Sequence, residues 1–400
     1  MIGVPSLFSQ LLDFIPRRDF DRRVRELRAD RYAKGFDCWA QFAAMIFLQL
    51  SGAQSLREIS AGLRSAMGKL VHLGISRAPN RSTLSYANQH RTWQLPQVLF
   101  FDLLSRAPML LGNHPLPGKP FRFKNKLLSL DATTIDLCLS LFPWAKFRQT
   151  KGGVKMHALL DHDGYLPVYA HITNAKVHES QVAWKMHFPK GSIVVMDRGY
   201  TDYDWFHKLT GDGVYFVTRM KDNAVYEVIQ TRPLTQPQIR AGEEIVLTKT
   251  GLPLRRVVVW LEDKQEEMAL LTNHPSFAAA TIAAIYKERW QIELFFKALK
   301  QNLKIKTFVG TSKNALLTQI WTALIAILML KILQLRSRRN WALSTLYRLL
   351  NWNLFTYRDL WEWVERVDDP PPESPPPVQL HLYRGVVGQH LQAPLLPNPR

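Results

Sequence analysis

The segment KLLSLDATTIDL (residues 126–137) is predicted to be a β-strand with an acid, Asp131, near its middle. The segment GGVKMHALLDHDGYLPVYAHITNA (152–175) predicts a hairpin whose turn lies at Asp163–Gly164. After a helical stretch, GSIVVMDRGY (191–200) predicts an apolar strand that ends in Asp197. The order of these elements decides the fold.

A helix from about Tyr203 and the strand VYFVTRM (214–220) complete the series. Three strands, a helix, a strand, a helix and a strand is the order of a ribonuclease-H-like α/β sheet, which is the fold class we predict. Residues 222 to about 280 continue with β-like segments and predict a β-rich insertion. The predicted catalytic domain therefore spans residues 120–312.

Residues 1–115 predict an all-α domain, which the Pro- and Gly-rich joint GNHPLPGKP (112–120) would separate from the sheet. Two of its short helices, joined across a Gly-containing turn, suggest a helix-turn-helix that contacts DNA. An ordinary helical pair with a polar outer face is the alternative. The side chains that could reach phosphates and base edges are those of Arg81, Asn88, Gln89 and Arg91.

The C-terminal part of the chain predicts helices over 313–367 and a proline-rich, disordered tail over 368–400. The apolar run 315–335 contains Gln319 and Lys331, which favour a buried core helix over a membrane span. We therefore expect no membrane partner.

The formal charge of +19 and a pI near 9.9 favour an anionic partner. Nucleic acid is the commonest such partner, and a basic membrane-surface protein is the competing class. The two cysteines, Cys38 and Cys138, exclude a disulfide framework and a Cys-rich zinc site, and they fit a reducing, cytoplasmic, nucleoid-associated location. The histidines between 157 and 178 lack the paired spacing of a zinc site.

The segment YKERWQIELFFKALK (286–300) predicts a helix with a polar stripe beside an apolar face. At 100° per residue, Tyr286, Arg289, Glu293 and Lys300 fall within roughly 60° of one another. A solvated face with an Arg–Glu pair four residues apart would look the same. The remaining acids of the chain decide between the two interpretations.

Phosphodiester cleavage at two divalent metal ions requires converging carboxylates. Asp131 lies in the first predicted strand, Asp197 ends the strand beside it, and Glu293 lies on a helix that can pack across the sheet. Other acids are poorer candidates because they point to the other face, belong to the turn or lie elsewhere on the helix. They are Asp136, Asp161, Asp163 and Glu288.

Several segments resemble the bacterial insertion-sequence transposases of the DDE class. They are SLDATTIDL, VVMDRGY and the pattern Y286-x2-R289-x3-E293-x6-K300, which is similar to the Tyr-Arg-Glu-Lys signature of insertion sequence family four. The segments LSGAQSLREISAGL and RSTLSYANQHRTWQ resemble the N-terminal domain found in part of that family. The resemblance covers roughly residues 5 to 335.

The resemblance implies cut-and-paste transposition with two Mg²⁺ ions, for which Mn²⁺ could substitute, and a homodimer in the synaptic complex. By this resemblance Asp131, Asp197 and Glu293 are the metal ligands, and the residues contacting transposon-end DNA are Tyr286, Arg289 and Lys300. Trp260, in VVVWLED, would stack on a flipped base, although a core tryptophan is as consistent with its position.

We therefore expect a transposase that binds double-stranded DNA at terminal inverted repeats and at its target, and that cleaves and transfers strands. Two alternatives remain open. One is a DNA-binding derivative without catalysis, and the other is a nuclease on the same fold that lacks strand transfer.

Overall fold

A computed structural model describes residues 4–367, except 32, 34, 67, 117–120, 147, 150, 234–236, 249, 304 and 306. The predicted tail, 368–400, lies outside the described residues. Six helices precede the first strand: α1 Leu7–Leu12, α2 Arg17–Leu27, α3 Cys38–Ser51, α4 Leu56–Ser65, α5 Arg81–His90 and α6 Gln94–Leu111. Of these, α4 begins at the capping pair of Ser55 and Glu58, where the Glu58 amide donates to the Ser55 hydroxyl at 3.2 Å.

The catalytic core follows the predicted order of elements. Its elements are β1 Leu127–Leu137, β2 Gly152–Asp161, β3 Leu166–Asn174, α7 Glu179–Ala183, β4 Ile193–Met196, α8 Tyr203–Gly211 and β5 Tyr215–Arg219. Gly164 takes the left-handed conformation in the β2–β3 turn (φ 81°), as the predicted hairpin requires. The strands lie in the order β3-β2-β1-β4-β5, with β1, β4 and β5 parallel to one another. The ribonuclease-H-like prediction is therefore confirmed for this part of the sheet.

The β-rich insertion extends the same sheet instead of forming a separate one. Its strands are β6 Tyr226–Thr231, β7 Ile239–Leu247, β8 Pro253–Leu261 and β9 Glu266–Thr272. Strand β9 pairs antiparallel with β5, and the sheet continues through β8 and β7 to β6. The nine-stranded sheet ends at β6, whose side chains are mostly exposed.

The two faces of the sheet bury different sets of side chains because successive residues of a strand alternate between faces. Leu128 and Leu130 belong to one core cluster, which includes Trp205 and Phe206 of α8. Leu127 belongs to the opposite cluster, which is covered by the next helix in the chain, α9 Ala279–Glu288. Asp131 is four residues after Leu127 in the same strand, so its side chain lies on the same face of the sheet, the one that α9 covers.

The remaining helices are α10 Trp290–Asn302, α11 Lys313–Arg336, α12 Leu343–Asn353 and α13 Leu360–Glu365. Helix α11 is long and apolar enough to span a membrane by composition, but it is almost entirely buried within the protein. It packs against α3, α5 and α6. The prediction of a buried core helix is confirmed.

This packing joins the N-terminal helices to the rest of the chain. Thirteen consecutive residues of α3, Cys38 to Leu50, are buried, and α11 covers part of that surface. Residues up to Glu365 belong to one compact unit. The N-terminal helices therefore do not pack as a unit of their own. That they have a separate function, divided from the catalytic domain near residue 115, stays a prediction.

Candidate active site

Two of the predicted catalytic acids follow paired residues of neighbouring parallel strands. Leu130 of β1 pairs with Met196 of β4, and the next residues are Asp131 and Asp197. Val195, two residues before Asp197, lies in the same core cluster as Leu127. Because side chains alternate between the two faces of a strand, Asp131 and Asp197 both lie on the α9 face of the sheet. The fold therefore brings the two acids, 66 positions apart in sequence, side by side at one edge of the core.

The third acid, Glu293, lies on a helical segment that is interrupted at one residue, Arg289. The prediction of one continuous helix over 286–300 is wrong in one detail, since α9 ends at Glu288 and α10 begins at Trp290. At the junction the Arg289 amide donates to the Tyr286 carbonyl at 3.1 Å, a three-residue spacing that tightens the turn. Helix α10 then packs against β1 and carries Glu293 to the site.

Arg289 bridges two of the three acids. One guanidinium nitrogen lies 3.3 Å from Asp131 Oδ2, and the other donates to Glu293 Oε1 at 2.6 Å. The side chains of Arg289 and Asp131 are only 17% and 18% exposed, so this is a largely buried ion pair. The Glu293 side chain is 32% exposed, so the Arg–Glu pair is partly solvated, but Arg289 also pairs with Asp131, which a simple solvated face would not require.

The pKa of Asp131 shows the electrostatic conflict at the site. Burial, with smaller contributions from the negative charges of Asp197 and Glu293, raises the pKa of this carboxyl to about 6, although the Ala132 amide and Arg289 act to lower it. The charges of Asp197 and Glu293 thus both act on Asp131, and the repulsion among the three carboxylates favours a cation between them.

The donor set fits a hard divalent ion, since all three residues offer carboxylate oxygens. In the described part of the chain, however, no three His, Cys, Asp or Glu side chains stand close enough together to hold an ion. Arg289 takes the place of a cation between Asp131 and Glu293. The chemistry of the three carboxylates therefore fits a divalent ion, although the Arg289 guanidinium lies against two of them.

The other two members of the stripe also lie at this site. Lys300 donates to the Thr134 carbonyl of β1 at 2.9 Å, and it lines an open cleft of about 460 Å³ together with Asp131 and Glu293. The Tyr286 ring centroid lies 5.7 Å from the Arg289 guanidinium carbon. Burial raises the pKa of Tyr286, so its hydroxyl stays protonated at neutral pH.

A buried polar cluster behind the site was not found from the sequence. His162 Nε2 lies 2.7 Å from Ser129 Oγ, and His162 Nδ1 lies 3.6 Å from a Glu288 carboxylate oxygen. Ser129 is two residues before Asp131, and Glu288 is directly before Arg289. The cluster therefore ties the strand of one acid to the helix junction of Arg289. The only sequence signal was that Ser129 occupies an inward position of β1.

The predicted DNA-reading helix α5 needs correction at two residues. Asn88 is 2% exposed, and its Oδ1 accepts a hydrogen bond from Gln41 Nε2 at 2.9 Å. The Arg91 guanidinium donates to the backbone carbonyls of Asp37 and Phe36. Both side chains face the protein because α3 and α11 pack on α5, so neither is placed to read base edges.

The other two predicted residues of α5, Arg81 and Gln89, are exposed. Tyr86, which the sequence did not single out, is 66% exposed and stacks on His90 with ring centroids 4.1 Å apart. These side chains form the free surface of α5.

Trp260 lies in β8, half-buried, with the Arg240 guanidinium carbon 5.3 Å from its ring centroid. A different tryptophan, Trp290, is 56% exposed beside Arg289. It lines a cleft of about 980 Å³, together with Tyr286 and Met268, between the β8–β9 hairpin and the α9–α10 junction.

Comparison with known proteins agrees with this geometry. The family described as "Transposase DDE domain" matches residues 122–329, just over half of the chain. The chain belongs to the DDE transposase family. This transposase is an enzyme of a class that cleaves DNA and transfers strands. Its residues 4–76 also match a domain of unknown function, DUF4372.

Proteins related to this transposase are also named as transposases. A Sinorhizobium fredii protein named as a transposase, y4zB, is 32% identical over 259 residues, which cover 62% of this chain and 70% of the relative. A Geobacillus stearothermophilus protein named as the transposase of insertion sequence element IS5377 is 29% identical over 258 residues, with coverage of 61% and 67%. A piggyBac transposase synaptic complex with hairpin DNA aligns with a TM-score of 0.46 and 11% identity, over 92% of this chain and 83% of that one.

Proposed function

We propose that this transposase binds the terminal inverted repeats of an insertion sequence and cleaves them with Asp131, Asp197 and Glu293. The proposal rests on one observation above all. Asp131 and Asp197 follow paired residues of parallel strands, and Arg289 joins Asp131 to Glu293. The spacing of Tyr286, Arg289, Glu293 and Lys300 supports membership of the Tyr-Arg-Glu-Lys subgroup of insertion sequence family four.

The three carboxylates would hold two Mg²⁺ ions, with Mn²⁺ as a substitute. When bound, such ions stabilise the attacking and leaving oxygens of phosphoryl transfer. The proximity of the carboxylates supports this role, because a bound cation would relieve the repulsion that Asp197 and Glu293 exert on Asp131.

Arg289 has two partners in succession in this proposal. In the DNA-free chain it neutralises Asp131 and Glu293, and on DNA it contacts a backbone phosphate of the transposon end. A guanidinium suits both partners, because it forms bidentate hydrogen bonds with carboxylates and with phosphates. Tyr286 and Lys300 would contact the same DNA segment.

An aromatic side chain near the site would stack on an unpaired base of the transposon end. Trp260 is the residue that the sequence suggests. Trp290 is the stronger candidate on exposure, because it lies open in the cleft beside Arg289.

The N-terminal helices would supply recognition of the terminal repeats through Arg81 and Gln89 on the free surface of α5. The charge of +19 supports binding of double-stranded transposon ends and target DNA, and association with the nucleoid. Two ends must be cut together in cut-and-paste transposition, so we propose a homodimer in the synaptic complex.

The experiment that tests the proposal supplies a pre-cleaved end with a free 3′-hydroxyl, together with target DNA and Mg²⁺. We expect joined products from the wild-type protein and none from the Glu293→Gln variant. A parallel reaction contains an intact end, and cleavage of that end without joining of the pre-cleaved one would instead identify a nuclease. Binding without either reaction would identify a DNA-binding derivative.

A further inference from the structure

A pocket separate from the catalytic cleft lies beyond the C-terminal end of α11, against the β2–β3 turn. Its volume is about 330 Å³. Three cationic residues line it, Lys331, Arg338 and Arg339, and no Asp or Glu is among its described lining residues. The side chains of Tyr165 and Ser337 also line the pocket. A pocket whose described lining contains three cationic side chains and no carboxylate suits an anion.

Lys331 is the unusual member of this lining. It is largely buried in an apolar helix, where its ammonium donates to Gln334 Oε1 at 3.0 Å and lies 6.0 Å from the Tyr165 ring centroid. Among the residues that the structure describes, no carboxylate pairs with it. Burial lowers the pKa of Lys331 to about 8, so at neutral pH the group is still mainly charged. A buried cation without an acid carries an uncompensated desolvation cost.

A purely structural explanation accounts for part of this arrangement. The last carbonyl groups of α11 carry partial negative charge and favour cations near the helix end, and a long lysine side chain can reach towards solvent from a buried backbone position. Neither effect explains why two arginines join the lysine around an open space. An anion in that space would compensate the charge of Lys331, which pairs with no carboxylate in the described part of the chain.

We propose that the pocket of Lys331, Arg338 and Arg339 binds a phosphodiester group of the DNA on which the transposase acts. This inference rests on the proposed function. The Tyr165 hydroxyl lies 3.5 Å from Glu288, the residue directly before Arg289. The pocket is thus one side chain away from the α9–α10 junction.

The test compares DNA affinity as a function of salt in the full-length protein and two variants. Lys331→Met removes the charge and keeps an unbranched side chain of similar bulk, and Arg338→Gln removes a charge at an exposed position where folding is not at risk. Each lost phosphate contact should lower the log–log salt slope by about 0.9, which weakens binding about eightfold at 0.1 M salt relative to 1 M. Lys313→Met, at the exposed first turn of the same helix, is the matched control and should keep the wild-type slope.

Free phosphate has the same chemistry, so a second arm measures thermal stability in inorganic phosphate at constant ionic strength. Stabilisation of the wild type that is lost in Lys331→Met, with unchanged DNA slopes, would overturn the DNA assignment in favour of a free anion. Unchanged slopes in both Lys331→Met and Arg338→Gln would overturn the inference while leaving the proposed function intact. If the wild type binds no duplex DNA at all, the proposed function itself fails.

Discussion

Helices α5 and α10 both show polar residues among apolar ones, and both were predicted to contact DNA. In α10 the polar residue Glu293 meets a cation that it shares with another acid, at an open cleft. In α5 the polar residue Asn88 is buried, and a neutral amide of Gln41 satisfies it. The same kind of pattern thus gives a shared ion pair at an open cleft in one helix and a packing contact in the other.

The difference between them is energetic. Acids that converge at the active site repel one another and are costly to bury, so removing one should stabilise the DNA-free fold. Asn88 and Gln41 satisfy each other, so removing one should destabilise it. The sign of the stability change therefore distinguishes a functional polar residue from a structural one.

The largest effect that tests this comparison is on catalysis. Asp197→Asn or Glu293→Gln should reduce Mg²⁺-dependent cleavage of end DNA by about a thousandfold or more, because a bound ion contributes several kcal/mol to the transition state. Asp136→Asn, an exposed acid on the same strand as Asp131, is the control and should cleave normally. Normal cleavage by Glu293→Gln would remove α10 from the active site.

The second effect is on stability at the active site. Asp131→Asn should raise the free energy of unfolding of the metal-free protein by at most about 3 kcal/mol above pH 6. Since the pKa of the folded carboxyl is about 6 and its ordinary value is 3.8, this gain should shrink as pH falls through 6 and vanish below 3.8. Denaturant titrations with a chelator present measure it. A variant less stable than wild type at pH 8 would contradict the energetic distinction.

The third effect has the opposite sign and lies in α5. Asn88→Ala should lower the free energy of unfolding by about 2 kcal/mol, because Gln41 is left without its partner in the interior. Gln89→Ala, one residue further along, should change it by less than about 0.5 kcal/mol. Thermal unfolding of the two variants side by side is the measurement. Equal stability would return Asn88 to the set of DNA-reading candidates.

The smallest effect concerns Lys300, whose position fits either a contact to DNA or a structural hydrogen bond. If it contacts a phosphate, Lys300→Ala should lower the log–log salt slope of DNA binding by about 0.9. If it serves only to hold β1 through the Thr134 carbonyl, the slope should not change and the melting temperature should fall instead. Fluorescence anisotropy at several salt concentrations, combined with thermal unfolding, separates the two roles.

The order of strands and the three acids could be predicted because they depend on local patterns. Strands alternate with period two, and Asp131 and Asp197 each lie at a recognisable point of a short apolar run. The break at Arg289 could not be predicted, because YKERWQIELFFKALK (286–300) continues the helical pattern across it. The pairing of His162 with Ser129 and Glu288 could not be predicted either, because it joins three distant segments.

The sequence by itself determined the α/β order, the three acids and their signature spacing, since alternation, charge and spacing are properties of neighbouring residues. Tertiary structure alone decided that Arg289 lies between Asp131 and Glu293, that Asn88 faces inward and that α11 joins the N-terminal helices to the core. The physical reason is that burial depends on what covers a side chain. An Asn in an amphipathic helix has the same local pattern whether water, DNA or another helix lies against it.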